Sequence, residues 1–99
     1  MLILPIKKKW YDMILSGEKK EEYREIKPYY RSRLRNEEFL DQYGLPTLYQ
    51  GAVQFRNGYA GNSPSFEAIC SLDIKTGNPE WGAEPRKEYY VLKILEIKR

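Results

Sequence analysis

Glycine and proline fall so regularly along this chain that no helix or strand can run far. Gly17, Pro28, the Gly44-Leu45-Pro46 triplet, the Asn57 to Pro64 stretch and the Gly77, Pro79, Gly82, Pro85 series each end or redirect the backbone. Between them the hydrophobic period changes from segment to segment. Leu2 to Ile6 is a short apolar run that suits a buried strand. Trp10, Met13 and Ile14 then fall at helical spacing and predict a helix over Lys7 to Ser16, with Gly17 just past its end, where a left-handed backbone excludes a Cβ. Lys19 to Ile26 alternates as a strand does. Pro28 holds Lys27 extended, and Tyr29 to Arg35 and Asn36 to Tyr43 predict short helical pieces. Ala52 to Arg56, Phe66 to Ile74 and Tyr89 to Ile97 predict three more strands, the last with Tyr90, Leu92, Ile94 and Glu96 on one face and Val91, Lys93, Leu95 and Ile97 on the other. Thr76 to Lys87 reads as an irregular loop with Trp81 at its centre. With 99 residues the chain supports one core, so residues 1–99 are read as a single α+β domain.

Charge and cysteine usage exclude several function classes. Lys and Arg number 17 against 14 Asp and Glu, a net charge of +3. That balance permits a nucleic-acid partner through local contacts but does not make a polycation that coats duplex DNA. There is no histidine, which removes Ser-His-Asp and Cys-His catalysis and any zinc set built on His. Cys70 is the only cysteine and lies within an apolar run, so it reads as a small buried hydrophobe rather than a nucleophile. Nothing in the sequence asks for a cofactor or a metal. Met1 to Ile6 is too short for a secretory core, no run reaches membrane length, and the lone cysteine agrees with a cytoplasmic protein.

The most informative stretch is Gly17-Glu18-Lys19-Lys20-Glu21-Glu22-Tyr23-Arg24. Strand alternation projects Glu22 and Arg24 to the same side, and Lys19 enters from the helix end. One reading makes these three the charged heart of a cleft. The other makes Glu22 and Arg24 an ordinary same-face pair on a solvated strand.

This stretch resembles the ASCH domain family, whose motif after the first helix runs Gly-x-Lys-x-x-Glu-x-Arg; Gly17, Lys19, Glu22 and Arg24 match it position for position. The resemblance takes in the Trp10 to Ser16 helix, Asn57-Gly58-Tyr59 and Glu80-Trp81-Gly82-Ala83. It implies a PUA-like fold, a small mixed β-barrel with a helix after the first strand, a short helical insert and a cleft beside them. It also implies RNA binding, coactivator-type partners or, in some members, hydrolysis. One hydrolytic branch, an amidohydrolase acting on an acylated cytidine, places a threonine nucleophile where this chain has Glu22. Lys19 and Glu22 remain available there as acid–base groups.

Within such a cleft Lys19 would meet a phosphate or carbonyl, Arg24 a phosphate or base edge, and Glu22 a base amino group. Tyr59 and Trp81, each in a Gly-rich loop, suit stacking on an unpaired base; Trp81 would otherwise cap an apolar end of the barrel. Asn57 and Asn78 add amide contacts or merely tolerate tight turns. Lys7-Lys8-Lys9 reads as a solvated helical turn. The Tyr29-Tyr30-Arg31 cluster, with Arg33 and Arg35, either lengthens an RNA path or packs its tyrosines on the barrel and pairs its arginines with Glu37, Glu38 and Asp41. The expectations are, in order, a binder of single-stranded RNA or a nucleotide-like molecule, a hydrolase of modified nucleosides or RNA, and a protein-interaction adaptor.

Overall fold

Leu2, Leu4 and Ile6 alternate with Ile3 and Pro5, and that alternation is realised as strand β1 (Leu2–Ile6), with the first set buried. The computed structural model describes residues 1–98. Helix α1 (Lys8–Leu15) follows at once and buries Tyr11 and Ile14. It ends as its sequence predicts. Gly17 takes φ +86°, its N–H donates to the Ile14 carbonyl at 3.0 Å, and the Lys19 N–H donates to the Met13 carbonyl at 2.9 Å. Two carbonyls that a helix terminus leaves orphaned are thereby satisfied, and the second bond fixes where Lys19 begins.

Strand β2 (Glu21–Arg24) is shorter than the alternation over Lys19 to Ile26 predicts, because Pro28 opens helix α2 (Pro28–Asn36) with Lys27 extended at φ −132°, ψ 154°. Strands β3 (Gly51–Asn57), β4 (Ser65–Thr76) and β5 (Glu88–Lys98) complete one five-stranded sheet in the order β1-β3-β4-β5-β2. Only β1 and β3 are parallel, as their joining through α1, β2 and α2 allows; the other pairs are antiparallel. The sheet curls until its two outer strands face each other, and the Arg24 guanidinium on β2 reaches the Pro5 carbonyl on β1 at 3.1 Å. This is a half-barrel in a small mixed α+β domain, with a seam between β1 and β2.

Two sequence expectations are corrected. Asn36 to Tyr43 does not form a second helical piece: α2 ends at Asn36, Glu38 takes φ 70°, and the Asp41 carboxylate accepts from the Tyr43 and Leu45 N–H groups at 2.8 and 3.0 Å. Asp41 competes with the helix for local backbone donors and wins. In β5 the two-face alternation fails beyond Ile94. Ile94 pairs with Cys70 and Glu96 with Ile69, so Leu95 is an extra residue in a β-bulge and the phase reverses after it. Ile94 and Ile97, expected on opposite faces, both pack against the main core.

That core joins Leu2, Leu4, Val53, Phe55, Ala68 and Leu92 to Ile14 of α1 and Leu34 of α2. Cys70 lies wholly within it, and burial pushes its thiol pKa up to about 12, which makes it an inert core residue. A second, smaller cluster of Tyr23, Ala83, Tyr89 and Val91 sits on the other face, covered by the loop after β4. Hence β5 is buried on both faces over Tyr89 to Leu92. Among the described residues, no helix is long and apolar enough to cross a membrane.

Candidate functional site

The cleft opens over the β1–β2 seam and has a volume of about 730 Å³. That lies in the range of small-ligand sites. Glu22 and Arg24 form its floor; Trp10, Tyr59 and Trp81 stand around it, with Asn57 at one end. Five of the six site residues expected from sequence therefore meet at one concavity. The sixth, Lys19, is placed beneath the floor, its side chain 0% exposed, and is not part of the cleft wall.

Lys19 arrives there because the end of α1 turns its backbone inward. Its ammonium lies 3.3 Å from Glu22 Oε1, donates to the Trp81 carbonyl oxygen, and sits 4.5 Å from the Trp10 ring centre and 5.0 Å from that of Tyr23. Burial pulls its pKa below the ordinary lysine value; the Glu22 carboxylate opposes that shift without cancelling it. Glu22 is held from three directions: the Tyr23 N–H donates to Oε1 at 3.1 Å, Lys19 faces the same oxygen, and Arg24 Nη1 lies 3.4 Å from Oε2. A buried carboxylate is tolerable only with such partners, since desolvating a lone charge costs several kcal/mol. These contacts engage both oxygens, and the carboxylate still lines the cleft.

Arg24 is pinned through its ends. Nη1 donates to the Tyr23 carbonyl at 2.8 Å and also faces Glu22 Oε2, and Nη2 donates to the Pro5 carbonyl at 3.1 Å, which leaves Nε–H and one N–H on Nη2. Pro5 suits this place, since it has no N–H to offer along the open edge. Glu22 and Arg24 do meet, as strand parity predicts, and the solvated same-face pair is the reading that geometry excludes: Glu22 is 4% exposed.

The loop that carries Trp81 is fastened by groups the sequence did not single out. The Tyr23 hydroxyl accepts from the Asn78 N–H at 2.9 Å and donates to Glu21 Oε1 at 2.8 Å; the Tyr89 hydroxyl accepts from the Glu84 N–H at 3.0 Å. Asn78 itself caps the 3₁₀ turn Pro79–Trp81, its Oδ1 accepting from the Glu80 N–H at 2.9 Å. Gly82 has φ +101°, and a Cβ there would stand 3.0 Å from Trp10 Cζ2, so glycine lets the loop close on the Trp10 ring. Tyr59, by contrast, is 89% exposed at the tip of the β3–β4 loop. Trp10 and Tyr30 also line the cleft. Trp10 was hidden in sequence by its regular place in an amphipathic helix.

Neither Thr47 nor Thr76 lines this cleft. No group of three or more His, Cys, Asp or Glu side chains among the described residues could hold a metal ion. What the arrangement offers is ring faces, the Glu22 carboxylate, guanidinium donors of Arg24 and, further around the lining, the ammoniums of Lys7, Lys27 and Lys87 with the carboxylates of Glu25 and Glu84. Compared with known proteins, the chain matches no family model, no curated protein and no solved structure.

Proposed function

We propose that this chain is an ASCH-type, PUA-like domain that binds a single-stranded RNA or a nucleotide in the seam cleft. The observation that carries the reading is the floor of the cleft, where Glu22 and Arg24 present an acceptor and donors side by side, surrounded by the Trp10, Tyr59 and Trp81 rings. A base fits such a place because its edge carries both donors and acceptors and its faces stack on aromatic rings. The match of Gly17, Lys19, Glu22 and Arg24 to the family motif supports the same reading. Lys19, in this reading, holds Glu22 and the Trp81 loop in position from below rather than touching the ligand.

Trp10 and Trp81 are the chain's two tryptophans and both line the cleft, so intrinsic fluorescence reports occupancy directly. Titration with the four nucleoside monophosphates and with short single-stranded RNAs, at two salt concentrations, should quench it saturably. Tyr59→Ala should weaken binding about 5- to 100-fold, the scale of one lost base stack, while leaving stability unchanged because the ring is exposed. Unaltered fluorescence throughout would overturn the proposal.

A second reading, hydrolysis of a modified nucleoside or RNA, rests on one observation: Lys19, with its pKa lowered by burial, lies 3.3 Å from the Glu22 carboxylate. Such a pair can pass a proton. Glu22→Gln should then abolish turnover of acylated cytidines or RNA; turnover that survives it removes Glu22 from any catalytic role.

A further inference from the structure

The seam cleft does not end at Arg24. Pro5, Arg24, Tyr30 and Tyr59 are shared with a second groove of about 360 Å³ that runs along the outer edge of β1, past Tyr29 and Arg33. Its wall is unlike that of the first cleft: two arginines, three tyrosines and no carboxylate. Along it the side chains alternate. Arg24 lies 5.9 Å from the Tyr30 ring centre, Tyr30 meets Tyr29 edge-on at 5.0 Å, and Arg33 lies 5.6 Å from the Tyr29 ring centre. Arg33 does not pair with Glu37, Glu38 or Asp41; its Nη2 donates to the Ile3 carbonyl at 2.9 Å, which holds the guanidinium against the strand. Tyr29 remains 62% exposed.

We propose that this row of arginines and tyrosines is a second subsite, which takes the neighbouring nucleotide of a single strand whose first nucleotide occupies the seam cleft. The inference rests on the function proposed above and narrows its ligand to an oligonucleotide. Charge decides in favour of that occupant: two guanidiniums with spare N–H donors and no carboxylate suit a phosphodiester, and an exposed ring beside them suits an unpaired base. Continuity decides the direction. Arg24 stands at the junction of the two grooves, where the phosphate linking two nucleotides would fall.

The test compares lengths. Tryptophan fluorescence is titrated with nucleoside monophosphates and with single-stranded tetranucleotides, for the wild-type chain, Tyr29→Ala and Arg33→Gln. The tetranucleotide should bind at least about tenfold more tightly than the monophosphate, with the steeper salt dependence of an added phosphate contact. Tyr29→Ala should erase that gain and leave monophosphate affinity unchanged, since Tyr29 lies outside the first cleft. Arg33→Gln should reduce both the gain and its salt slope; circular dichroism melting separates this from loss of the Ile3 contact. Equal affinity for monophosphate and tetranucleotide overturns the second subsite alone. So does a length-dependent gain that both variants retain. Failure of every nucleotide to bind overturns the cleft reading and this subsite together, and would turn attention to an acidic protein segment as the occupant of the groove.

Discussion

Between β4 and β5 the backbone bonds to itself along almost the whole of both strands, and the side chains beneath are apolar: Ala68, Cys70, Leu72, Tyr90 and Leu92. Between β1 and β2 there is no strand pairing, and the sheet is held across the gap by side chains. Arg24 takes the Pro5 carbonyl, Arg33 takes the Ile3 carbonyl, and Lys19, Glu22 and Arg24 make a buried charged line below. The contrast shows why the cleft lies where it does. A ladder consumes its own donors and acceptors and packs to full density, so nothing is left for a ligand. A seam tied by long side chains leaves N–H groups, a carboxylate edge and ring faces within reach. It also depends on charges that are tolerable only while paired.

The largest expected effects test that dependence. Glu22→Leu strands the Lys19 ammonium and should cost about 3–5 kcal/mol in urea unfolding. Adding Lys19→Met should recover most of the loss, because two apolar groups of similar size often replace a buried ion pair at little cost. In the ladder, Leu92→Ala should cost about 2–5 kcal/mol through lost burial and a cavity, and the Lys19→Met change should not lessen it. Strict additivity of Glu22→Leu and Lys19→Met would break the comparison.

Tyr23→Phe ranks next. It removes the acceptor of the Asn78 N–H and the donor to Glu21, and should cost about 1–3 kcal/mol with faster hydrogen exchange at Asn78. Unchanged exchange there would mean that the loop is held by Lys19 and Tyr89 alone.

The pH dependence sharpens the contrast further. Lys19 has its folded pKa below the unfolded value, so between the two the unfolded chain binds more protons and stability rises with pH, by at most about 1.4 kcal/mol per unit for one group. The window lies immediately below the ordinary lysine pKa of about 10.4. Lys75, whose pKa is raised chiefly by its hydrogen bond to Glu21, and Tyr23, raised chiefly by burial, act in the opposite sense and lose their contributions at high pH. Subtracting the unfolding curve of Lys19→Met from that of the wild type isolates the rising part; a flat difference would show that Lys19 titrates alike in both states. The smallest effect belongs to neither region: Lys8→Ala removes an exposed i,i+4 pair with Asp12 and should change stability by about 0.3–0.5 kcal/mol.

Local signals carried much of this structure. Gly17 ends α1 and Pro28 starts α2 through constraints that operate within a few residues, and both were legible. The parity that joins Glu22 to Arg24 is likewise a local property of an extended backbone. What escaped is set by distant partners. The bulge at Leu95 exists only because Ile69 and Cys70 pair as they do across β4, and no residue of β5 announces it. Lys19 looked like a ligand contact from its motif; its place under the floor follows from the Met13 carbonyl, the Trp81 carbonyl and the Trp10 ring, which come from two separate segments. The choice between Arg33 pairing with acids or lengthening the groove could not be read from composition, because the Ile3 carbonyl that claims it is a backbone group.

Those carbonyls of Ile3 and Pro5 have one more consequence. An unpaired strand edge is a template on which another chain can add itself, strand upon strand, into a growing assembly. Here the positions a newcomer would need are already taken by two guanidiniums, and Pro5 withholds the N–H it would seek. The border of β1 therefore behaves as a finished margin: any incoming strand must evict two fixed cations before it gains its first hydrogen bond, and the same residues that keep the groove open for a ligand keep this edge closed to polymerisation.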